Sequence, residues 1–156
     1  MDKTLVFVVV ILIGMIGCSS SKPTVNHSGS KYKTTTLIQD ARSYIGTPYK
    51  YAGTTSRGMD CSGLTSVVYD RSAIDLARTA ADQSRQGRLV KLKDTRSGDL
   101  IFFKKGGKVF HVGIVSKVNK DQLWMIHSSS SKGVVEQEVL SNTYWRPKLH
   151  IIRRVF

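Results

Sequence analysis

Apolar residues in the first half of the chain recur at helical spacing, in three short groups. The first group forms one face of a predicted helix and comprises Leu37, Ile38, Ala41, Tyr44 and Ile45. Gly46 and Pro48 follow at once and predict the end of this helix. A second helix is predicted from Cys61 to about Arg71, and a short third helix from Thr79 to Gln86.

The second half of the chain consists of short apolar runs that predict β-strands. Glycine pairs and polar clusters, such as Gly106-Gly107 and Asn119-Lys120-Asp121, separate the runs and are typical of turns. Five strands are expected: Asp99 to Phe103, Val109 to Val118, Leu123 to His127, Val134 to Val139 and His150 to Val155. Helices followed by an antiparallel meander indicate an α+β domain.

A continuous apolar run lies near the N-terminus, at residues 5–17, after Asp2 and Lys3. A membrane-spanning helix needs about 20 apolar residues, so this run fits the core of a secretory signal peptide better. It ends in Met15-Ile16-Gly17-Cys18, followed by serines. This end resembles the bacterial lipobox, although leucine is usual at position 15 and a small residue at position 16.

The lipobox resemblance implies a signal peptide over residues 1–17 and lipid, including palmitate, on Cys18. The protein would then be an exported lipoprotein, anchored in the membrane at the periplasmic face of the outer membrane. An uncleaved anchor and an ordinary secretory signal are the alternatives, and all three export the domain. Residues 18–35 are expected to form the lipidated cysteine and a flexible polar linker, with the folded domain over residues 36–156.

The chain is strongly basic, with a formal net charge of +13 at pH 7. Such a surface favours polyanions, which for an exported protein would be lipid head groups or acidic wall polymers. The export signal argues against nucleic acid, and the lysines and arginines are scattered rather than interleaved with aromatic residues. We therefore expect a solvated basic surface and no nucleic-acid partner.

Only two cysteines occur, Cys18 and Cys61. With lipid on Cys18, Cys61 is a free thiol in an exported protein, which indicates a catalytic nucleophile; a buried inert cysteine is the alternative. The amides of a helix that begins at Cys61 would favour the thiolate. His111 and His127 each stand where an apolar strand meets a polar loop. The three side chains can supply a nucleophile, a base and a group that orients the base.

Five ordered segments around these residues are similar to the NlpC-type bacterial cell-wall peptidases, a papain-like cysteine peptidase family. The segments are TPYKYAG (47–53), GMDCSGL (58–64), RTAADQ (78–83), SGDLIFF (97–103) and HVGIV (111–115), with Ile126-His127-Ser128 and Gly133-Val134 closing the pattern. The chain departs from the family at Ala52, where a second glycine is common, and at Ala77, where proline is usual. The resemblance implies an α+β papain-like fold, in which N-terminal helices pack on a mostly antiparallel sheet of about five strands.

The resemblance also implies a Cys-His-His catalytic triad. Cys61 would be the nucleophile, and His111 would take the thiol proton and later protonate the leaving amine. His127 would accept a hydrogen bond from His111 and fix its ring orientation. Tyr49 matches the family tyrosine whose hydroxyl supplements the Cys61 amide in the oxyanion hole. Simple packing beside Pro48 is the alternative interpretation of Tyr49.

Three further residues near the nucleophile are expected to contact substrate. Asp60 and Ser62 flank Cys61 and can hydrogen-bond the substrate peptide. Arg78 can bind a substrate carboxylate through both ends of its guanidinium, and a structural salt bridge is the alternative. Asp99 follows a Ser-Gly turn and is expected to be a turn residue rather than a catalyst.

By this resemblance, the chain is a peptidoglycan endopeptidase that cleaves stem peptides between γ-D-glutamate and the following diamino acid through a thioester acyl-enzyme. The alternatives are an acyltransferase or amidase that uses the same triad on a wall or lipid substrate, and a silent wall-binding protein. A Cys-His-His zinc site is disfavoured, since the candidate ligands are not closely paired and no acidic base lies nearby. We expect no metal or other cofactor, stem peptides as partners, membrane attachment through the N-terminal lipid, and a monomer.

Overall fold

The computed structural model describes residues 27–156, with side chains from residue 34 onward. The predicted signal peptide, Cys18 and the first part of the predicted linker lie outside the described residues. The first helix, α1, spans His27–Ser43. It therefore begins within residues 18–35, the segment expected to be a linker, and continues across the domain start predicted at residue 36. Among the described residues, no helix combines the length and the apolar character needed to cross a membrane.

Two shorter helices follow, α2 at Cys61–Asp70 and α3 at Ala80–Gln83. The bounds of α2 agree closely with the prediction. α3 is shorter than the predicted Thr79–Gln86, because Thr79 is its N-cap and the chain turns away after the helix. This turn ends at Gly87, whose φ of 67° lies in the left-handed region that glycine adopts without strain.

The strands form a small ribbon and one large sheet. The ribbon pairs β1 at Thr54–Thr55 with β2 at Gly58–Met59. The sheet contains β3 at Arg88–Val90, β4 at Leu100–Lys105, β5 at Lys108–Val118, β6 at Leu123–Ser129, β7 at Gly133–Glu138 and β8 at Leu149–Arg154. The strand order is β3-β8-β4-β5-β6-β7, and all neighbours are antiparallel.

All five predicted strands are present close to their predicted limits, and the sheet has six strands rather than five. The additional strand, β3, pairs with β8 at the edge of the sheet. It contains three residues, of which only Val90 is buried, so it has no apolar alternation that the sequence could reveal. The prediction of an α+β domain with helices on a mostly antiparallel sheet is confirmed.

Apolar side chains cover both faces of the sheet. In β4, Leu100 and Phe102 belong to the core that includes residues of α1 and α2, whereas Ile101 and Phe103 belong to a second core on the opposite face. Successive residues of a strand point to opposite faces, so burial on both sides requires the unbroken apolar run of this strand. Trp145 closes part of the second core and is 7% exposed.

The register of three neighbouring strands collects polar side chains on the face of this second core. His111 of β5 pairs with Phe103, and Gln137 of β7 pairs with Met125 of β6. Paired residues share a face and residues two apart along a strand do so as well. His111, His127 and Gln137 therefore project from the same face of adjacent strands, while α2 packs beside β5 and β6.

Candidate active site

The N-terminus of α2 presents Cys61 in a cleft. Asp60 has an extended backbone and caps the helix, since its Oδ1 accepts a hydrogen bond from the Gly63 amide at 2.6 Å. A side chain at position 63 would collide with the backbone carbonyl group of Gly53, so glycine is required where the preceding loop crosses the start of the helix. The Asp-Cys-Ser-Gly segment thus fixes the helical turn that carries the sulfur.

Burial raises the pKa of the Cys61 thiol, and the charge of Asp60 raises it further. Hydrogen bonds from the backbone of Val112, Ser62 and Cys61 itself lower this pKa but do not outweigh the burial. This result is opposite to the expectation that the helix start would favour the thiolate. The reason is that removing the sulfur from water disfavours its charged form more than the nearby amides favour it. The thiol therefore needs a base to become a nucleophile.

Two histidines hydrogen-bond to each other beside this thiol. His111 Nε2 lies 2.8 Å from His127 Nδ1, and the two rings meet nearly edge to face at 85°. His111 is 7% exposed and lines the same cleft as Cys61. His127 is fully buried. The fold thus brings together the three residues that were singled out in the sequence, with His111 between the cleft and the interior.

Both histidines are neutral at physiological pH. Burial, with a smaller contribution from the nearby His127, lowers the pKa of His111 to about 3. Burial also lowers the pKa of His127 to about 4, against the opposing effect of its hydrogen bond with Gln137. A neutral imidazole has one N–H and one lone pair. The contact between the rings is therefore a single N–H donated to a single lone pair.

Gln137 and Trp145, two residues that sequence reasoning missed, extend this arrangement. His127 Nε2 lies 3.1 Å from Gln137 Oε1, and the indole N–H of Trp145 donates to the same oxygen at 3.1 Å. The indole ring also stacks on His111, with 4.7 Å between the ring centroids. Alternation along β7 could have placed Gln137 on the histidine face. Trp145 lies beyond that strand, and no pattern in the sequence signals its contacts.

Cys61 lies between the two arms of a groove. The first arm, of about 520 Å³, is lined by His111, Gln137, Asn142, Tyr144, Trp145 and the loop of residues 128–132. The second arm, of about 320 Å³, is lined by residues that include Tyr51, Asp60, Ser62, Arg78 and Thr79. Tyr49, Cys61 and Phe110 line both arms. Two clefts that share the Cys61 side chain suit an extended chain such as a peptide.

Asp60, Ser62 and Arg78 form one polar cluster in the second arm. Arg78 Nη2 lies 2.7 Å from Asp60 Oδ2, and Arg78 Nη1 donates to Asp60 Oδ1 and Ser62 Oγ at 3.1 Å each. Burial would raise the pKa of Asp60, but the hydrogen bonds from Arg78, the Gly63 amide and Ser62 hold it below its usual range. Of the two interpretations of Arg78, the salt bridge is present in the structure.

Tyr49 stands at the junction of the two arms. Its backbone forms an isolated bridge with Met59, at the end of the loop that leads into α2. Burial raises the pKa of Tyr49, and the negative charges that Cys61 and Asp60 can carry raise it further. The phenol therefore keeps its proton at neutral pH and can act as a hydrogen-bond donor next to the sulfur.

The other chemically interesting residues lie away from this cleft. Asp99 accepts a hydrogen bond from the Arg96 amide, as expected of a turn residue, and also forms a buried ion pair with Arg154 at 2.6 Å. His150 is exposed on β8 and does not line the groove. Within residues 27–156, no group of three or more His, Cys, Asp or Glu side chains could hold a metal ion.

The fold and this arrangement define a papain-like α+β domain with a cysteine at a helix start beside a histidine pair. A model of the NlpC/P60 family matches residues 46–154. The chain therefore belongs to the NlpC/P60 family. The predicted family and the predicted enzyme class, a peptidase of the peptidoglycan-hydrolase type, are confirmed.

Individual relatives agree with this assignment. The chain is 37% identical over 147 residues to a protein of Escherichia coli K12 named "Probable endopeptidase NlpC", covering 90% of this chain and 92% of that protein. It is 32% identical to a γ-D-glutamyl-L-lysine dipeptidyl-peptidase of Bacillus subtilis 168, covering 77% of this chain and 40% of that protein. A solved NlpC/P60 family protein from Bacillus cereus ATCC 10987 aligns with a TM-score of 0.71 and 32% identity, covering 78% of this chain and 40% of that one.

Proposed function

We propose that the protein is a thiol endopeptidase that hydrolyses peptidoglycan stem peptides between γ-D-glutamate and the following diamino acid. One observation carries the proposal: Cys61 lies in a two-armed groove, whose wall also holds His111, hydrogen-bonded to His127 at 2.8 Å. The specificity is supported by the relative from Bacillus subtilis, whose name gives the γ-D-glutamyl-L-lysine bond.

In the first step, the Cys61 sulfur attacks the carbonyl carbon of the γ-D-glutamyl group, and His111 takes the thiol proton. His111 is suited to this task because its imidazole is neutral, and only an unprotonated nitrogen can accept a proton. The carbonyl oxygen becomes an oxyanion, which the Cys61 amide and the Tyr49 hydroxyl stabilise by hydrogen bonds. One such donor is typically worth about 2.7–4 kcal/mol in the transition state.

The tetrahedral intermediate then loses the amine. The carbon–nitrogen bond breaks, the protonated His111 gives its proton to the leaving nitrogen, and a thioester to Cys61 remains. A water molecule attacks this thioester while His111 takes one of its protons. The carbon–sulfur bond breaks, the γ-D-glutamyl carboxylic acid leaves, and the proton returns to the sulfur. His127 keeps the ring of His111 in position throughout.

The polar cluster of the second arm supports recognition of one side of the stem peptide. Asp60 lies in the cluster as a carboxylate, Ser62 carries a hydroxyl, and the guanidinium of Arg78 has a side-chain exposure of 42%. A D-glutamyl residue that is linked through its γ-carboxyl group leaves its α-carboxyl group or amide free. This polar group can hydrogen-bond to Ser62 and to the exposed part of Arg78, while Asp60 holds Arg78 in place.

We also propose that the enzyme is a membrane-anchored lipoprotein that faces the periplasm, with lipid on Cys18. The apolar run at residues 5–17 and the Met15-Ile16-Gly17-Cys18 sequence support this proposal. A surface anchor would keep the enzyme close to its polymeric substrate.

Digestion of a defined stem tripeptide, L-alanyl-γ-D-glutamyl-diamino acid, tests the activity. We expect two products by mass spectrometry, the dipeptide L-alanyl-D-glutamate and the free diamino acid. The tripeptide with lysine and the tripeptide with diaminopimelate should be compared. An intact tripeptide, together with cleavage of a cross-linked stem peptide only at its bond between D-alanine and a diamino acid, would contradict the proposed specificity. A product in which an added amine or alcohol is joined to the glutamyl group would indicate acyl transfer instead.

A further inference from the structure

Trp145 and Gln137 extend the hydrogen-bonded chain of His111 and His127, and both also line the first arm of the groove. We propose that these two residues are positioning residues that fix the tautomers of both histidines, so that His111 keeps its Nδ1 lone pair for the thiol proton. This inference rests on the proposed function, in which His111 is the base for Cys61.

The first link is the orientation of the Gln137 amide. The indole nitrogen of Trp145 carries a hydrogen, and its electron pair belongs to the aromatic system, so it can only donate a hydrogen bond. It faces Gln137 at 3.1 Å, and Trp145 is 7% exposed. If the amide turned its NH₂ group toward the indole, two donors would face each other and a partly buried hydrogen bond would be lost. Trp145 therefore keeps Oε1 of Gln137 directed toward itself.

The second link is the proton on His127. Its Nε2 lies 3.1 Å from the same Gln137 oxygen, and a carbonyl oxygen can only accept. Nε2 must therefore carry the hydrogen, and the neutral ring has its lone pair on Nδ1. That lone pair faces His111 Nε2 at 2.8 Å. His111 must then donate from Nε2, which leaves its own lone pair on Nδ1.

The opposite orientation of one amide would reverse the whole chain. The NH₂ group of Gln137 would donate to His127 Nε2, and the proton of that ring would lie on Nδ1. His111 would then accept at Nε2 and hold its own proton on Nδ1. In this state it cannot take a proton from Cys61 without first losing one. The Trp145 N–H distinguishes the two states, because it forms a good hydrogen bond in only one of them.

Packing holds the indole ring independently of its N–H. Trp145 lies 4.7 Å from Phe103 and 4.8 Å from Tyr144 between ring centroids, and it stacks on His111 at an interplanar angle of 27°. An aromatic ring without the N–H can therefore occupy the same place. This separation of packing from hydrogen bonding makes the proposal testable.

The test is the substitution Trp145→Phe, which keeps an aromatic ring and removes the donor. Nitrogen NMR of the imidazole rings in the free enzyme reports which nitrogen of each histidine carries the proton. We expect mixed tautomers for His127 and His111 in the variant and a single tautomer in the wild type. On the stem tripeptide we expect kcat to fall by roughly tenfold or more, as for other losses of an orienting partner, with KM little changed.

A second substitution supplies a rescue. In the double variant Trp145→Phe with Gln137→Glu, the carboxylate presents only acceptor oxygens, so no rotation can direct a donor at His127. We expect this enzyme to regain the single tautomer and most of the lost kcat. The acidic limb of the profile of its rate against pH should move to higher pH, because the negative charge of the glutamate favours the protonated form of the neighbouring His127 ring. If the indole served packing alone, the carboxylate would bring no rescue.

Trp124 provides a matched control. Its Nε1 is buried and, among the described residues, has no hydrogen-bond partner. Trp124→Phe therefore removes the same kind of N–H, here from β6, without touching the histidine chain. We expect its histidine tautomers and its kcat to match those of the wild type.

Unchanged tautomers together with unchanged kcat in Trp145→Phe would overturn the proposal, and so would a double variant no more active than the single one. The NMR measurement needs no substrate. A wild-type enzyme that does not cleave the tripeptide would therefore count against the proposed function, while mixed tautomers in Trp145→Phe would still support the positioning of the histidines by Trp145 and Gln137.

Discussion

His111 and His127 share one hydrogen bond of 2.8 Å between two neutral, buried rings. In the proposed mechanism, the group that orients the base is therefore uncharged, in contrast to the carboxylate of a Ser-His-Asp triad. A neutral partner fixes the ring and its tautomer but offers less electrostatic support to the imidazolium that forms during reaction. The buried thiol, whose pKa is raised, and the buried imidazole, whose pKa is lowered, also favour a neutral pair at rest over an ion pair.

The same burial predicts how stability depends on pH. The folded state lowers the pKa of His111 to about 3 and of His127 to about 4, from an ordinary value of 6.5. As pH falls below about 6.5, the unfolded chain binds protons that the folded domain does not, so stability falls with pH across this window. Urea unfolding between pH 7 and pH 4 should show this loss.

The double variant His111→Gln with His127→Asn tests whether these two histidines cause the pH dependence of stability, because neither new side chain titrates. Its free energy of unfolding should depend less on pH than that of the wild type. His150→Gln is the matched control. Burial and the charge of Lys104 also lower the pKa of His150, but this residue is exposed on β8, so its substitution should change the pH dependence less than the double variant does. Equal slopes in the wild type and the double variant would refute the assignment of the effect to these two rings.

Cys61→Ala should abolish cleavage of the stem tripeptide while leaving the fold intact. Cys61 is the free cysteine among the described residues, so no second thiol of the domain can replace it. Cleavage is followed by mass spectrometry and folding by circular dichroism. A thiol-alkylating reagent should likewise remove the activity of the wild type, whereas a chelator should leave it unchanged. Loss of activity with the chelator but not with the alkylating reagent would favour a metal mechanism.

Asp60 combines two functions that substitutions can separate. It caps α2 through the Gly63 amide and pairs with Arg78. Asn is a good N-cap residue, so Asp60→Asn should keep the cap and lose the ion pair. Asp60→Ala should lose both, and the lost cap alone should cost about 0.5–2 kcal/mol of stability. We therefore expect the Ala variant to be less stable than the Asn variant in urea unfolding. Equal stabilities would show that the cap contributes nothing.

The sequence predicts those parts of the fold that depend on neighbours along the chain. The helix that begins at Cys61 is predicted from the apolar residues that follow the cysteine at helical spacing, and the five central strands are predicted from apolar runs between turns. The three-residue strand β3 escapes prediction, because its pairing with β8 depends on contact with a distant segment rather than on its own composition.

The candidate site shows the same division. Cys61, His111 and His127 are recognisable by residue type and by similarity to a family, but their protonation depends on burial that only the folded chain creates. The raised pKa of the Cys61 thiol was therefore not predicted. Gln137 and Trp145 were missed for a related reason. Neither residue stands out in the sequence. Both matter because the Oε1 atom of Gln137 lies within hydrogen-bond distance of both His127 and Trp145.

The proposed lipid anchor predicts a change of location in Cys18→Ala, a residue outside the described part of the chain. We expect the wild type in the membrane fraction with an acylated N-terminus, and the variant released from it. With lipid on Cys18 as proposed, we expect Ser19 beside it to direct the protein to the outer membrane of a cell with two membranes. Fractionation followed by mass spectrometry of the N-terminal peptide measures both. A wild type that is soluble and carries no acyl chain would refute the anchor and leave the peptidase proposal intact.

The proposed mechanism gives the two histidines different tasks, which substitutions can separate. His111 moves protons in both half-reactions, so His111→Ala should lose nearly as much kcat as Cys61→Ala. His127 only orients, and an amide can accept the same hydrogen bond, so His127→Asn or His127→Gln should retain measurable turnover. His127→Ala should lose considerably more, because His111 Nε2 would then face no acceptor. Single-turnover cleavage of the tripeptide measures the four histidine variants and Cys61→Ala. A His127→Ala enzyme as fast as the wild type would leave Cys61 and His111 as a dyad and assign the orienting task elsewhere.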